Sequence, residues 1–282
     1  MTVISVQSHV ASGHVGNAAA EYPLRRLGFD VACVHTTLLA HHPGHGAFRG
    51  AIVAPETVRA VLDGLAAHGI FAGCEALLSG YLGSAEAGLA VADAWDAIRR
   101  ANPTALYCCQ PVIGDAHEGV YVAAELPALF RDRLVPAAGA VIANAFEAGQ
   151  LSGMDVVDPK SAKAAATAIC AMGPAVVIVT SVPMPESGGA EIGNLLAAGD
   201  RCWLIAAPKL EIAAKGTGDF LSAVWLGRFL SLRDPLAALC EALGLTQSAV
   251  ALAHRTGAAE LPVVETMDLP SARAEGLSPH PV

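Results

Sequence analysis

The feature that most constrains this chain is a repeated alternation of short β-branched runs with longer amphipathic stretches. "TVISVQS" is followed by a glycine-rich turn and "GNAAAEYPLRRLG", and then by the second run "FDVACVH". Strands that alternate with helices predict an α/β fold, a mostly parallel sheet covered by helices on both faces. The spacing predicts a helix over residues 55 to 68 with Pro55 in its first turn. A strand "EALLSG" and a helix capped by Ser84, with Arg99 and Arg100 at its end, follow. "ALYCCQPV", "AGAVIAN" and "PAVVIVTS" read as further strands, and "EIGNLLAAGDRCWLIAAP" as a hairpin turning at Gly199-Asp200. Two helices close the pattern, Thr217 to Leu232 and Pro235 to about His254. One domain over residues 1–282 is expected, with the tail after about residue 260 left unassigned. The uncharged run Ala164 to Pro185 is long enough to span a bilayer. Gly173-Pro174 divides it into a helix and a strand.

Charge narrows the partners. The net charge is −9, which argues against a nucleic-acid surface because phosphate backbones are bound by clustered Lys and Arg. It leaves room for a small anion, which backbone N–H groups can hold. The seven cysteines form no C-x-x-C pair, and reduced, buried thiols are expected. Cys108 and Cys109, adjacent in a strand, should point to opposite faces. "MTVISVQSHV" does not read as a signal peptide, so a cytoplasmic protein with no membrane partner is expected.

Ligands of such sheets bind at the carboxyl ends of the strands. The stretches there are "QSHVASGHVGN", "VHTTLLAHHPGHG", "SGYLGS", "CQPVIGD", "ANAFE", "VTSVP" and "KGTGD". None contains a Walker A loop, a dinucleotide fingerprint or a nucleophile elbow. "GTG" offers an anion cradle: Gly216 and Gly218 let backbone N–H groups approach a phosphate, and the helix they open adds its positive end. Asp219 then has two readings, a helix-start cap or a general base beside the cradle.

"GTGD" before an apolar helix resembles the signature of the ribokinase-like superfamily of small-molecule kinases. "QSHVASGHVGNAAAEYPLRRLGFDV" resembles the opening of pyridoxal kinases, and "SGYLGSAE", "PVIGD", "NAFEAGQLSG" and "VTS" follow in that family's order. The resemblance runs from about Val3 to past Asp219. It implies a three-layer sandwich and ATP-dependent phosphorylation of the 5′-hydroxymethyl of pyridoxal, with Mg²⁺ and a stimulating K⁺. By matching position it makes Asp219 the base and Gly216, Thr217 and Gly218 the anion hole. Ser8, Val15, His42 and Tyr81 fall to the pyridine site, and Asp115, Thr180, Ser181 and Lys215 to the nucleotide. Asp115, Asn144 and Glu147 would organise the metal, largely through water. A homodimer is implied as well. The chain departs from the family's pattern at Gln110, where an aspartate is common, at Ala143, and at Leu38, Leu39 and Pro43 near the substrate loop. Gln110 weakens the K⁺ expectation by removing a negative charge.

Alternatives remain at this stage. "HHPGH" (His41, His42, His45) reads as a substrate loop in preference to a metal site, since no Cys or paired acid lies at ligand spacing. Asn144 and Glu147 suit a capping box as well as a metal site. Trp203 and Trp225 read as core or interface packing. Other functions to weigh are a kinase of another hydroxymethyl heterocycle, such as hydroxymethylpyrimidine, and a weakly catalytic pyridoxal-binding protein.

Overall fold

A computed structural model of the chain describes residues 1–268 and 277–282. The alternation read from the sequence becomes β1 (Thr2–Val10), α1 (Asn17–Arg26), β2 (Asp30–Leu39), β3 (Gly50–Ile52), α2 (Pro55–Ala67), β4 (Cys74–Ser79), α3 (Ala85–Ala101) and β5 (Leu106–Cys109). A small hairpin, β6 (Gly114–Asp115) and β7 (Gly119–Val120), precedes α4 (Leu126–Leu129), a π-helical turn at Phe130–Leu134, and α5 (Val135–Ala137). Then come β8 (Ala140–Asn144), α6 (Ala145–Ser152), α7 (Pro159–Cys170), β9 (Val176–Pro183), β10 (Glu191–Ala198) and β11 (Arg201–Pro208). The last elements are α8 (Thr217–Leu232), α9 (Pro235–Thr256), α10 (Val263–Asp268) and β12 (His280–Pro281).

The main sheet has ten strands in the order β12-β11-β10-β9-β8-β5-β4-β1-β2-β3. From β9 to β2 every neighbouring pair is parallel, so these strands end at one edge. The pair β10 and β11 is antiparallel with Ala198 opposite Arg201, which is the hairpin turn expected at Gly199-Asp200. Strand alternation sorts the side chains into two cores. Ile4, Val6, Leu77, Cys109, Val141 and Val177 pack with α2, α3, α6 and α7. Val3, Leu78, Cys108, Ile142 and Ile178 pack with α1, α8 and α9 on the other face. This is the three-layer sandwich, and Cys108 and Cys109 divide between its faces as the period of two requires.

The run 164–185 is α7 followed by β9, not a single span. Among the described residues one helix, α9, is long and apolar enough to cross a membrane by length and composition. Ala238, Leu239, Ala242, Leu243 and Ala249 of that helix are buried in the core that α8 shares. Trp225 is wholly buried, stacked on Phe229 with ring centroids 5.0 Å apart. Trp203 is partly buried beneath the Arg201 guanidinium at 5.1 Å. Of the tail, α10 packs its Val263 and Met267 into the second core, and β12 pairs with β11. Residues 269–276 lie outside the described residues.

Candidate active site

The carboxyl edge of the parallel strands brings "GTGD" against the turn that follows β1. Gly216 has φ 91°, and a Cβ on it would collide with the His14 carbonyl oxygen. Gly16 has φ 54°, and a Cβ there would collide with the Ser8 carbonyl oxygen. These two glycines therefore let three segments touch: the end of β1, residues 14–16, and the first turn of α8. Across that contact the Gly16 N–H donates to Asp219 Oδ2 at 2.7 Å. Gln110, just past β5, donates from Nε2 to Asp219 Oδ1 at 3.0 Å. Removal from water raises the Asp219 pKa above the ordinary aspartate value, and the two N–H donors oppose that rise.

Helix geometry leaves the first N–H groups of α8 without partners inside the helix, so Thr217 and Gly218 present donors to an anion. Asp219 therefore sits in the first turn of α8, but its carboxylate is directed to Gly16 and Gln110. Among the described residues no side-chain cap hydrogen bond forms at the start of this helix, so Asp219 does not act as its cap.

Beneath the site lies a buried polar cluster. Ser5 Oγ donates to Asn17 Oδ1 at 2.7 Å, Gln7 Nε2 donates to Ser5 Oγ at 2.9 Å, and Asn17 Nδ2 reaches the Val34 carbonyl at 3.1 Å. All three side chains are fully buried. Gln7 and Asn17, both part of the opening motif, thus lock β1, β2 and the start of α1 together.

Around the end of β1 and the loops after β2 and β4, Val15 is buried, while Ser8, His42 and Tyr81 are partly buried. The Tyr81 carbonyl accepts from Thr36 Oγ1 at 2.6 Å, which fixes the "SGYLGS" turn to β2. Burial raises the Tyr81 phenol pKa. His42 Nδ1 accepts the Gly44 N–H at 3.0 Å, and burial together with the nearby Lys215 ammonium lowers its pKa. His45 Nε2 lies 3.2 Å from Glu260 Oε1, and Glu260 Oε2 accepts the His14 N–H at 3.3 Å. Glu260 thus bridges the "HHPGH" loop to the β1–α1 turn. The Lys215 ammonium is 3.8 Å from Glu118 Oε1 in the β6–β7 turn. Sequence reading missed Glu260, which stands in a short segment between α9 and α10 with no periodic signal.

On the other side Asn144 and Glu147 form the capping box of α6. Asn144 Oδ1 accepts the Glu147 N–H and Glu147 Oε2 accepts the Asn144 N–H, each at 2.8 Å. Glu147 Oε1 also accepts the Ile113 N–H at 3.1 Å, and Asn144 Nδ2 donates to the Gly114 carbonyl at 2.9 Å. Burial raises the Glu147 pKa to about 8. The box therefore fastens the segment that carries Asp115. Asp115 Oδ1 accepts the N–H groups of His117 and Glu118, both at 2.8 Å. Mg²⁺ beside a nucleotide is commonly held by one or two carboxylates together with phosphate oxygens. Asp115 fits that chemistry through its second oxygen, whereas both oxygens of Glu147 are engaged by backbone donors.

Thr180 Oγ1 reaches the Ala143 carbonyl at 3.5 Å. Ser181 holds a left-handed φ of 57°, unusual for a residue other than glycine, where the β9–β10 register shifts. Tyr121, absent from the sequence reading, stands among Glu147, Asp115, Asp219 and Glu118. The side chain is 44% exposed, and partial removal of its phenol from water together with those carboxylates raises its pKa.

Comparisons with known proteins agree with this architecture. The phosphomethylpyrimidine kinase family model matches residues 26–264. The chain is 39% identical over 268 residues to the pyridoxal kinase PdxY of Deinococcus radiodurans, covering 93% of this chain and 90% of that one. It is 40% identical over 273 residues to the PdxY of Rubrobacter xylanophilus, covering 95% and 93%. The structure of Leishmania donovani pyridoxal kinase in complex with ADP and pyridoxine matches with a TM-score of 0.92 at 28% identity, over 100% of this chain and 99% of that one. Fold, glycine-cradled aspartate and matches together define a phosphotransferase of the ribokinase-like class, acting on an alcohol group of a small molecule. Within that class the chain belongs to the pyridoxal kinase family.

Proposed function

We propose that the protein transfers the γ-phosphoryl group of ATP to the 5′-hydroxymethyl group of pyridoxal, and that the whole chain works as one kinase domain. The observation that carries this reading is the position of Asp219. Its carboxylate is fastened to the Gly16 N–H at the end of the β1 turn, one residue away from the N–H cradle of Thr217 and Gly218. A carboxylate there can take the hydroxyl proton as the oxygen attacks phosphorus. The N–H groups of residues 216–218 and the positive end of α8 would stabilise the charge on the moving phosphoryl group.

The other residues take supporting roles. Ser8, Val15, His42 and Tyr81 would form the wall for the pyridine ring, a mixture of apolar surface and a few hydrogen-bonding groups that suits a neutral aromatic vitamin. Thr180, Ser181 and Lys215 would contact the nucleotide phosphates. Mg²⁺, when bound with ATP, supplies charge neutralisation between phosphate oxygens. Asp115 would hold it, with Asn144 and Glu147 acting through the backbone of residues 113 and 114. The Gln110 N–H faces the base and adds no negative charge, which supports a weak response to K⁺.

A homodimer completes the reading. Leu38, Phe48 and Ile52 are about half exposed on the β2–β3 hairpin, at the edge of the sheet, and offer apolar surface to a second copy. Light scattering should give about twice the 28.7 kDa chain mass. A concentration-independent 28.7 kDa species would refute the dimer.

The test of the activity is ADP release, in a coupled assay, with pyridoxal, pyridoxine, pyridoxamine and hydroxymethylpyrimidine offered separately. Turnover greatest with a B6 vitamer supports the reading. Turnover with the pyrimidine alone would replace it with the alternative reading, a kinase of another hydroxymethyl heterocycle.

A further inference from the structure

Gln110 is 9% exposed and lies 109 positions before Asp219 in the chain. Its Nε2 is 3.0 Å from Asp219 Oδ1 and would be 3.2 Å from a Cβ placed on Gly218. The amide is thus wedged against the first turn of α8. Its orientation follows from chemistry: an ionised carboxylate only accepts, so the N–H₂ end must face it. The opposite end, Oε1, is buried with no hydrogen-bond partner among the described residues. Leaving a buried carbonyl oxygen unsatisfied is costly, so something must favour this arrangement over one that solvates Oε1.

We infer that Gln110 is a positioning residue whose carboxamide holds Asp219 as an ionised, fixed proton acceptor. The inference rests on Asp219 being the general base. A charge-assisted N–H···O⁻ bond is about twice as strong as a neutral one, which offsets the unsatisfied Oε1. The amide also suits the other protonation state. Once Asp219 has taken the substrate proton, a flip of the amide turns Oε1 toward the new O–H and gives that oxygen a donor. An ionised glutamate at this position would repel ionised Asp219 and accept only from its protonated form, and a methionine donates to neither. The other titratable groups that sense the Asp219 charge are Glu147 on α6 and Tyr121 after β7, while Lys215 pairs with Glu118. The backbone N–H of Gly16 is the only other donor to the carboxylate among the described residues.

The experiment is a ¹³C-carboxyl NMR titration of Asp219 in the full chain without substrates, its signal assigned by its loss in Asp219→Asn. Gln110→Met keeps the side-chain length and removes the donor. Gln110→Glu keeps the shape and places a second carboxylate against the first. The Asp219 midpoint should rise by about one pH unit in Gln110→Met. It should rise further in Gln110→Glu, where two carboxylates share a proton. The acid limb of kcat/KM, which reports the free enzyme, should move by the same amounts. Midpoints within a few tenths of a unit of wild type in both folded variants would overturn the inference, and so would loss of fold in both, which would make Gln110 a packing residue. Failure of the wild-type enzyme to phosphorylate any vitamer would sink the proposed function while leaving the titration readable.

Discussion

Gly16 donates its backbone N–H to the Asp219 carboxylate at 2.7 Å, across 203 positions of sequence. The Asp219 carboxylate on α8 is therefore positioned by the turn that follows β1. Gly16 can make this bond because its φ of 54° and its closeness to the Ser8 carbonyl exclude a side chain. Gly16→Ala should lose about 1–3 kcal/mol of stability from backbone strain alone. It should also lose at least tenfold in kcat by displacing the donor. Denaturant unfolding and initial rates check both, and a variant with wild-type kcat would show that the tether does not place the base.

The pH dependence follows from the same carboxylate. Its pKa is raised by removal from water, so the base gains its proton at a higher pH than an ordinary aspartate near ~3.9. If Asp219 is the base, activity needs its ionised form, so kcat/KM should fall as pH falls through that raised value. A profile of kcat/KM from pH 4 to pH 8 should show this acid limb above the ordinary aspartate range.

Glu147 is the structural hinge of the Asp115 segment. Glu147→Ala removes the acceptors for the Asn144 and Ile113 N–H groups, of which the Ile113 N–H is buried and the Asn144 N–H partly so. A loss of ~2–4 kcal/mol in stability is expected, from a missing cap and unsatisfied donors. Lowered ATP affinity should accompany it as the Asp115 turn loosens. Thermal unfolding and nucleotide titration measure the two effects, and an unchanged melting temperature would contradict this role.

Glu260 bridges His45 and the His14 N–H from outside the catalytic residues. Glu260→Gln should weaken both ties while leaving Asp219 and the anion cradle in place. The expected result is a KM for the acceptor raised several-fold with kcat near wild type. A drop in kcat at constant KM would place Glu260 in the chemistry instead.

Much of the fold was legible because apolar periodicity is strong where both faces of an element are buried. Thr217–Leu232 and Pro235 onward were readable from glycine, proline and aspartate at their starts. The elements that went unread are short or exposed. β3, β6 and β7 have two or three residues each, too few for a period, and α4 and α5 are broken by a π-helical turn. At the site, Asp219 and its glycines carried a local signature, and the "NAFE" capping box was readable from spacing. The Gln110–Asp219 bond was not, since it joins positions 109 apart through the sheet edge. Tyr121 and Glu260 gave no signal because their roles come only from what the fold brings beside them.

The most direct measurement is pyridoxal-dependent ADP release by Asp219→Asn beside the wild-type enzyme. Asparagine can keep the Gly16 bond through its one oxygen, and its N–H₂ can meet the flipped Gln110 carbonyl, so the fold should survive. If Asp219 is the base, kcat falls ~10²–10⁴-fold while the affinities for ATP and pyridoxal stay within a few-fold. A melting temperature near wild type should accompany that loss. Near wild-type kcat would contradict the assignment, and a collapse of thermal stability would mean that Asp219 holds the helix start together instead of carrying the proton.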